Sequence, residues 1–322
     1  MNVLLTGGAG FIGSHVADRL AVRGDRVVIV DSFDAFYDPE VKRRNIAPAL
    51  ATGNVSLIEC DICDRTGLER ATKGIDFDAV VHLAARAGVR PSLERPLDYI
   101  RTNVEGTQSV LELARSRGVR PFVMGSSSSV YGDSTPVPFR ENASADAPIS
   151  PYAATKRAAE LICHAHAHLH GASIACLRLF TVYGPRQRPD LAIHKFAKLM
   201  LRNEEIPLYG DGSTERDYTY IDDIVDGIER ALDWSMREPP GTFEIFNLGE
   251  SVTTPLSRLI DLIGAELDVT PRIHWLPNQP GDVDRTFADV SRAREILGYD
   301  PRTSMEEGIH SFVEWLRAQP MN

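Results

Sequence analysis

A chain of 322 residues with 43% hydrophobic and 25% charged residues is long enough for a large core and has none of the apolar depletion that marks disorder. Its formal charge of -10 gives no global attraction for phosphate backbones or anionic lipid, which argues against nucleic acid and membrane surfaces as partners. An anionic small molecule therefore needs local basic residues.

Met1 to Thr6 is a short apolar run without a basic leader that passes straight into glycines, so it predicts a strand and not a signal peptide. No stretch approaches the length of a membrane span. With no secretory signal, Cys60, Cys63, Cys163 and Cys176 are expected as reduced thiols of a cytoplasmic protein. Short β-branched runs at Val3 to Thr6, Arg26 to Asp31, Val55 to Ile58, Ala79 to Leu83, Phe122 to Ser126 and Ser173 to Leu179 alternate with helical stretches. The clearest helices are Phe11 to Arg23, Pro96 to Arg117 and Tyr152 to His170, the last two closed by Gly118 and Gly171. Such alternation predicts an α/β fold, a doubly wound parallel sheet of Rossmann type. The sheet is expected to end near residue 180, and a smaller substrate-binding lobe to follow over 181–322. The boundary is soft, since part of 218–248 can rejoin the first lobe, 1–180.

Thr6-Gly7-Gly8-Ala9-Gly10-Phe11-Ile12-Gly13 directly follows the first strand and opens the first helix. One glycine makes the turn, the next admits a pyrophosphate to backbone N–H groups, and the third lets helix and strand approach, with the helix N-terminus facing the phosphates. Gly7, Gly10, Phe11, Ile12 and Gly13 are therefore cofactor candidates. Asp31, at the end of the second strand, can accept from a ribose 2′-hydroxyl and repels a 2′-phosphate, which favours NAD over NADP. Asp61 and Ile62, after the third strand, can meet an adenine edge, and Leu83, Ala84 and Ala85, around the end of the fourth, join the cofactor candidates. Asp61 and Ile62 sit inside Cys60-Asp-Ile-Cys63, but no second cysteine pair or matching histidine completes a tetrahedral metal site.

Ser126 to Ser129 follow the fifth strand at the carboxyl edge where ligands bind in such sheets. Tyr152 and Lys156, four residues apart at the start of a helix, share one face, and a phenol that is to act as a base needs a nearby cation. Tyr152, Lys156 and Ser127 are the catalytic candidates, and the lysine can also bond the nicotinamide ribose. His164, His166, His168 and His170 form two pairs at i, i+4, on different faces and without an evident third ligand, so no metal is expected.

Taken together, the TGGAGFIG loop, SSSSVYG at 126–132, Tyr152-Ala-Ala-Thr-Lys156 and Arg216-Asp-Tyr-Thr-Tyr-Ile-Asp-Asp resemble the extended short-chain dehydrogenase/reductases that act on nucleotide sugars. Ala87-Gly-Val-Arg-Pro-Ser92 and Phe180-Thr-Val-Tyr-Gly-Pro-Arg-Gln-Arg-Pro-Asp190 make the likeness strongest to UDP-glucuronate 4-epimerases. The resemblance implies that Tyr152, through or beside Ser127, removes the C4 hydroxyl proton while the C4 hydride passes to a retained NAD, and that the 4-keto sugar turns over before reduction. It assigns substrate contacts to Arg90, Ser126, Ser127, Ser128, Thr181, Arg188, Arg216, Asp282 and Arg285, with Arg188 preferred to Arg186 for a sugar carboxylate. Gln279-Pro280 stands where galactose epimerases often carry an arginine, which makes Arg285 the stronger candidate for the diphosphate. Similar dehydratases carry an Asp-Glu pair, and decarboxylases a Glu, where this chain has Ser128 and Ser129, so dehydration lacks its acid and base. The resemblance also implies a homodimer built on the helices over 96–117 and 152–170. The alternatives are a UDP-glucose/UDP-galactose 4-epimerase, a UDP-glucuronate decarboxylase and a catalytically silent NAD-binding sensor.

Overall fold

The computed structural model describes residues 1–277 and 285–319. Seven parallel strands form the central sheet: β1 (Asn2–Thr6), β2 (Arg26–Asp31), β3 (Val55–Glu59), β4 (Ala79–His82), β5 (Pro121–Ser127), β6 (Ser173–Leu179) and, from later in the chain, β10 (Phe243–Leu248). Their order is β3-β2-β1-β4-β5-β6-β10. The strands are apolar on both faces because both are covered. Val3, Leu5, Val27 and Ile29 point to a core shared with helices α1 (Phe11–Val22) and α9 (Ile221–Arg237). Their neighbours Leu4, Val28 and Val30 point to the opposite core.

That second core is roofed by α6 (Gly106–Ser116) and α7 (Pro151–His170). The helices α2 (Pro39–Ala51) and α3 (Arg65–Ala71) connect the first strands, and α4 (Val89–Glu94) and α5 (Pro96–Tyr99) precede α6. Beyond residue 180, β7 (Thr181–Tyr183), β9 (Glu215–Tyr220) and β11 (Thr253–Pro255) make a three-stranded sheet. A separate pair joins β8 (Ile206–Tyr209) to β12 (Ile273–Leu276). Helices α8 (Ala192–Leu201), α10 (Leu256–Leu267), α11 (Ser291–Leu297) and α12 (Met305–Arg317) complete the chain.

The main sheet does not stop near residue 180. α9, apolar along one face, packs on β5 and β6 and delivers β10 to the sheet edge, where Phe246 and Leu248 are fully buried. The helix expected over 96–117 runs without a gap from 96 to 116 but changes pitch on the way. Pro96 starts it at α5, and a π-helical stretch, Ile100–Glu105, joins α5 to α6. Wide turns of this kind occur where a side chain has a task inside the fold. Here Asn103 clamps the Arg86 backbone, its side-chain oxygen accepting from Arg86 N at 2.8 Å and its amide donating to Arg86 O at 3.0 Å.

α7 is tied to β6 by an ion pair in the core. Arg178 and Glu160 are 1% and 0% exposed at their side chains, and both bonds between them are 2.9 Å. Arg157 and the Ser126 hydroxyl satisfy the rest of the carboxylate, at 3.0 and 2.6 Å. Removing one member of such a pair strands the other charge in the core. Arg178→Met should lower unfolding free energy by about 3 kcal/mol, read from urea titration at neutral pH; an unchanged midpoint would show that Arg157 alone suffices for Glu160.

Candidate active site

The carboxyl ends of the parallel strands open into one cleft of about 530 Å³. Its floor begins at the glycine loop. Gly7 has φ +70°, and a Cβ there would lie 2.5 Å from Ala84 N; one on Gly13 would lie 2.2 Å from the Gly7 carbonyl oxygen. Only glycines let α1, β1 and the segment after β4 meet so closely, leaving a shallow cradle at the start of α1. Gly7, Gly10, Phe11, Ile12, Gly13, Asp31, Asp61, Ile62, Leu83, Ala84 and Ala85 all line this cleft. Asp31 is buried and accepts from Ala9 N at 3.1 Å and Phe33 N at 2.9 Å, so it fixes the loop and brings a carboxylate to the cleft. This cradle and carboxylate fit NAD, whose pyrophosphate needs close backbone and whose adenosine ribose needs an acceptor.

Ser127, Tyr152 and Lys156 converge on the same cleft. Ser150 caps α7, its hydroxyl accepting from Ala153 N at 3.1 Å, and Pro151 occupies the first turn, which sets Tyr152 and Lys156 on the inward face. The Ser127 hydroxyl faces the Tyr152 phenol closely enough to lower its pKa, while Ser127 Oγ donates to Ser129 Oγ and receives the Ser129 N–H, both at 3.2 Å. Burial raises the Tyr152 pKa above its ordinary value, opposed by the Ser127 hydroxyl and by the positive charge of Arg188. Lys156, expected to be the cation for this phenol, donates to Gly125 O at 2.7 Å instead, and burial lowers it to about 8. Among the protein's own groups, burial therefore favours the protonated phenol.

Thr181, Arg188 and Ser128 also line the cleft. Arg186 points elsewhere, binding Asp18 of α1 at 2.6 Å. Ser126 lines the cleft, but its hydroxyl is committed to Glu160. Arg90, Arg216 and Arg285 are not among the residues that line this cleft. Arg90 sits over the Tyr209 ring, Cζ 5.2 Å from its centroid. Arg216 donates to Glu215 O at 2.9 Å, and Arg285 pairs with the Glu215 carboxylate at 2.9 Å. Asp282, Gln279 and Pro280 lie outside the described residues.

Several cleft residues carried no sequence signal. Asp34, Phe36 and Tyr37 arrive on the segment between β2 and α2, Lys42 near the start of α2, and Arg86 bridges to Asp34 at 2.7 Å. Beneath them runs a chain of buried bonds. Thr6 Oγ1 lies 2.7 Å from His82 Nδ1, His82 Nε2 lies 3.0 Å from Thr107 Oγ1, and Thr107 donates to Asn103 O at 2.6 Å. Asn103 then donates to Thr155 Oγ1 at 3.0 Å, and Thr155 to Tyr152 O at 2.8 Å. Burial drives His82 down to about 3, so it is a neutral strut between the glycine loop and α7. The histidine run needs a correction: Glu112 brings a carboxylate within 4.8 Å of the ring nitrogens of His166 and His170, where no third group was expected. That carboxylate already accepts from Arg115 at 2.7 Å and Gln108 at 3.1 Å.

Residues 3–249 match the NAD dependent epimerase/dehydratase family. UDP-glucuronate 4-epimerase 4 of Arabidopsis thaliana is 40% identical over 328 residues, covering 98% of this chain and 75% of the plant protein. The Bacillus cereus UDP-glucuronic acid 4-epimerase, solved with UDP-glucuronic acid and NAD, superposes with TM-score 0.90 at 33% identity, covering 98% and 99% of the two chains. The Thermotoga maritima UDP-glucose 4-epimerase, solved with UDP-glucose, gives TM-score 0.89 at 34% identity and the same two coverages.

The buried lysine makes the fold respond to pH. Folded Lys156 titrates at about 8 against an ordinary value of 10.5, so between those values the unfolded chain binds more protons and stability rises with pH. The penalty for burying the ammonium is fully present below about pH 8. Between about pH 7.5 and about pH 9.5, ligand-free wild type should gain roughly 2 kcal/mol relative to Lys156→Met. Paired urea titrations measure this; a constant difference would mean that the ammonium is not desolvated.

Proposed function

Because the chain belongs to the NAD dependent epimerase/dehydratase family, we propose that it interconverts UDP-glucuronate and UDP-galacturonate. It is an NAD-dependent UDP-sugar 4-epimerase, and the uronate is the added claim. One observation carries that claim: the Arg188 guanidinium shares a cleft with Ser127 and Tyr152 and lies close enough for its charge to act on the phenol. A guanidinium so near the reacting hydroxyl matches a carboxylate on the adjoining sugar carbon, and gains no such ion pair from a hydroxymethyl group.

Gly7, Gly10, Gly13 and Asp31 hold NAD, which supplies the oxidising equivalent and takes it back within one turnover. Ser127 holds the C4 hydroxyl against Tyr152, whose phenolate receives its proton and later returns it. Since burial raises Tyr152, the phenolate forms only when added positive charge is bound nearby, which couples proton removal to a loaded cleft. The oxidised uronate is a β-keto acid that loses carbon dioxide easily, so Arg188 and Thr181 must restrain the carboxylate. Ser128 and Ser129 offer no carboxylate to expel water.

The enzyme works as a homodimer in the cytoplasm. Leu93, Leu97 and Ile100 on α4, α5 and the π-helical stretch are exposed, as are Leu161 and Leu169 on α7, the helix against which those elements pack. A second copy covers this apolar surface best. All four cysteines are unpaired, which suits a reducing compartment. No helix among the described residues is long and apolar enough to cross a membrane.

Two variants separate the roles. Tyr152→Phe should retain bound NAD and lose turnover by about 10³-fold or more, and unchanged turnover removes the tyrosine from its role. Arg188→Ala should lower kcat/KM for UDP-glucuronate about 10²-fold, with a much smaller effect on UDP-glucose. Equal losses on both sugars would count against the uronate, as would a wild type that turns over UDP-galactose and ignores UDP-galacturonate.

A further inference from the structure

The loop carrying Arg188 is pinned through its neighbour. Gln187 is buried; its amide donates to Val182 O at 3.1 Å, its side-chain oxygen accepts the His194 N–H at 3.2 Å, and its own carbonyl lies 2.6 Å from His194 Nδ1. These bonds fix the backbone from which Arg188 projects and leave its long side chain to be aimed by what it touches. One flat face rests near the Phe36 ring, Cζ 5.0 Å from the centroid. One edge is taken by Asp190: Nε donates to Oδ1 at 3.0 Å and Nη2 to Oδ2 at 2.7 Å.

A guanidinium has a second edge, Nη1 with the outer hydrogen of Nη2, that can also grip a carboxylate through two parallel bonds. Among the described residues no hydrogen bond or ion pair engages Arg188 Nη1. Asp190 stands one residue before the Leu191 cap of α8, and aspartate favours helix starts, yet α8 has no side-chain cap and both Asp190 oxygens go to Arg188.

We infer that Asp190 is a positioning residue for the substrate carboxylate: it occupies the Nε–Nη2 edge of Arg188 and thereby presents the Nη1–Nη2 edge to the sugar. The uronate then shares the guanidinium with Asp190 and does not displace it. This rests on the uronate substrate proposed above and adds to it a specificity determinant that never touches the sugar. Without Asp190 the guanidinium still carries its charge but is free to swing, so orientation is lost before attraction.

The test is calorimetric, in a Tyr152→Phe background that cannot turn over. Dissociation constants for UDP-glucuronate and UDP-glucose are measured with Asp190 intact, with Asp190→Asn and with Asp190→Ala, alongside bound NAD and thermal midpoint as checks on the fold. The ratio of the uronate Kd to the glucose Kd should rise about tenfold in Asp190→Ala, equivalent to ~1.4 kcal/mol, and less in Asp190→Asn, which keeps an acceptor for one N–H. Tighter uronate binding in Asp190→Ala would make Asp190 a competitor, and an unchanged ratio would leave it without a role; either overturns the inference while the uronate assignment stands. A parent protein that prefers UDP-glucose overturns both.

Discussion

The fold turns on a contact that admits no side chain. Gly13 faces the Gly7 carbonyl so closely that a Cβ would sit 2.2 Å from the oxygen, and Gly7 faces the chain after β4 almost as tightly. These approaches let α1 lie against β1 and put the helix start beside the carboxyl ends of β1, β2 and β4. A parallel sheet gathers all its strand ends on one edge, so each segment that leaves a strand there adds to the same cleft. Asp31, Leu83, Ser127 and Thr181 come from four such exits.

Burial then sets the chemistry. The same desolvation raises Tyr152, lowers Lys156 and keeps His82 neutral, each time by disfavouring the charged form. The protein's own groups thus favour a protonated phenol and hold the lysine against a carbonyl. Charge brought in by ligands meets a site whose dipoles and hydroxyls are already placed, which is the condition for electrostatic stabilisation to be large. A chain of buried bonds from Thr6 through His82, Thr107 and Asn103 to Thr155 links the end of β1, where the glycine loop starts, to α7.

What could be read in advance was what local rules write. The glycine spacing, the first six strands of the sheet and the Tyr-Lys pair each depend on residues within one turn or one strand, and the structure has those strands and brings the pair to the glycine loop. The seventh strand was missed because its place beside β6 is decided by α9 packing on the sheet, a tertiary event. Asp34 and Arg86 carry no such signal because they arrive on irregular segments without periodicity, and Lys42 because only the packing of α2 turns it into the cleft. Glu112 escaped notice because it lies on α6, 54 residues before His166 in the chain (166 less 112), and only the packing of α6 on α7 joins them. Asp190 carries no signal of its own in sequence, since which edge of a guanidinium it holds is set only by the folded loop.

The most direct measurement of the central claim is proton NMR of UDP-glucuronate incubated with purified enzyme and no added NAD. The structure and family together predict that UDP-galacturonate accumulates to a fixed ratio, with the anomeric signals of both sugars persisting and no pentose formed. Absence of conversion by an enzyme that readily epimerises UDP-galactose, or UDP-xylose as the main product, would contradict the account.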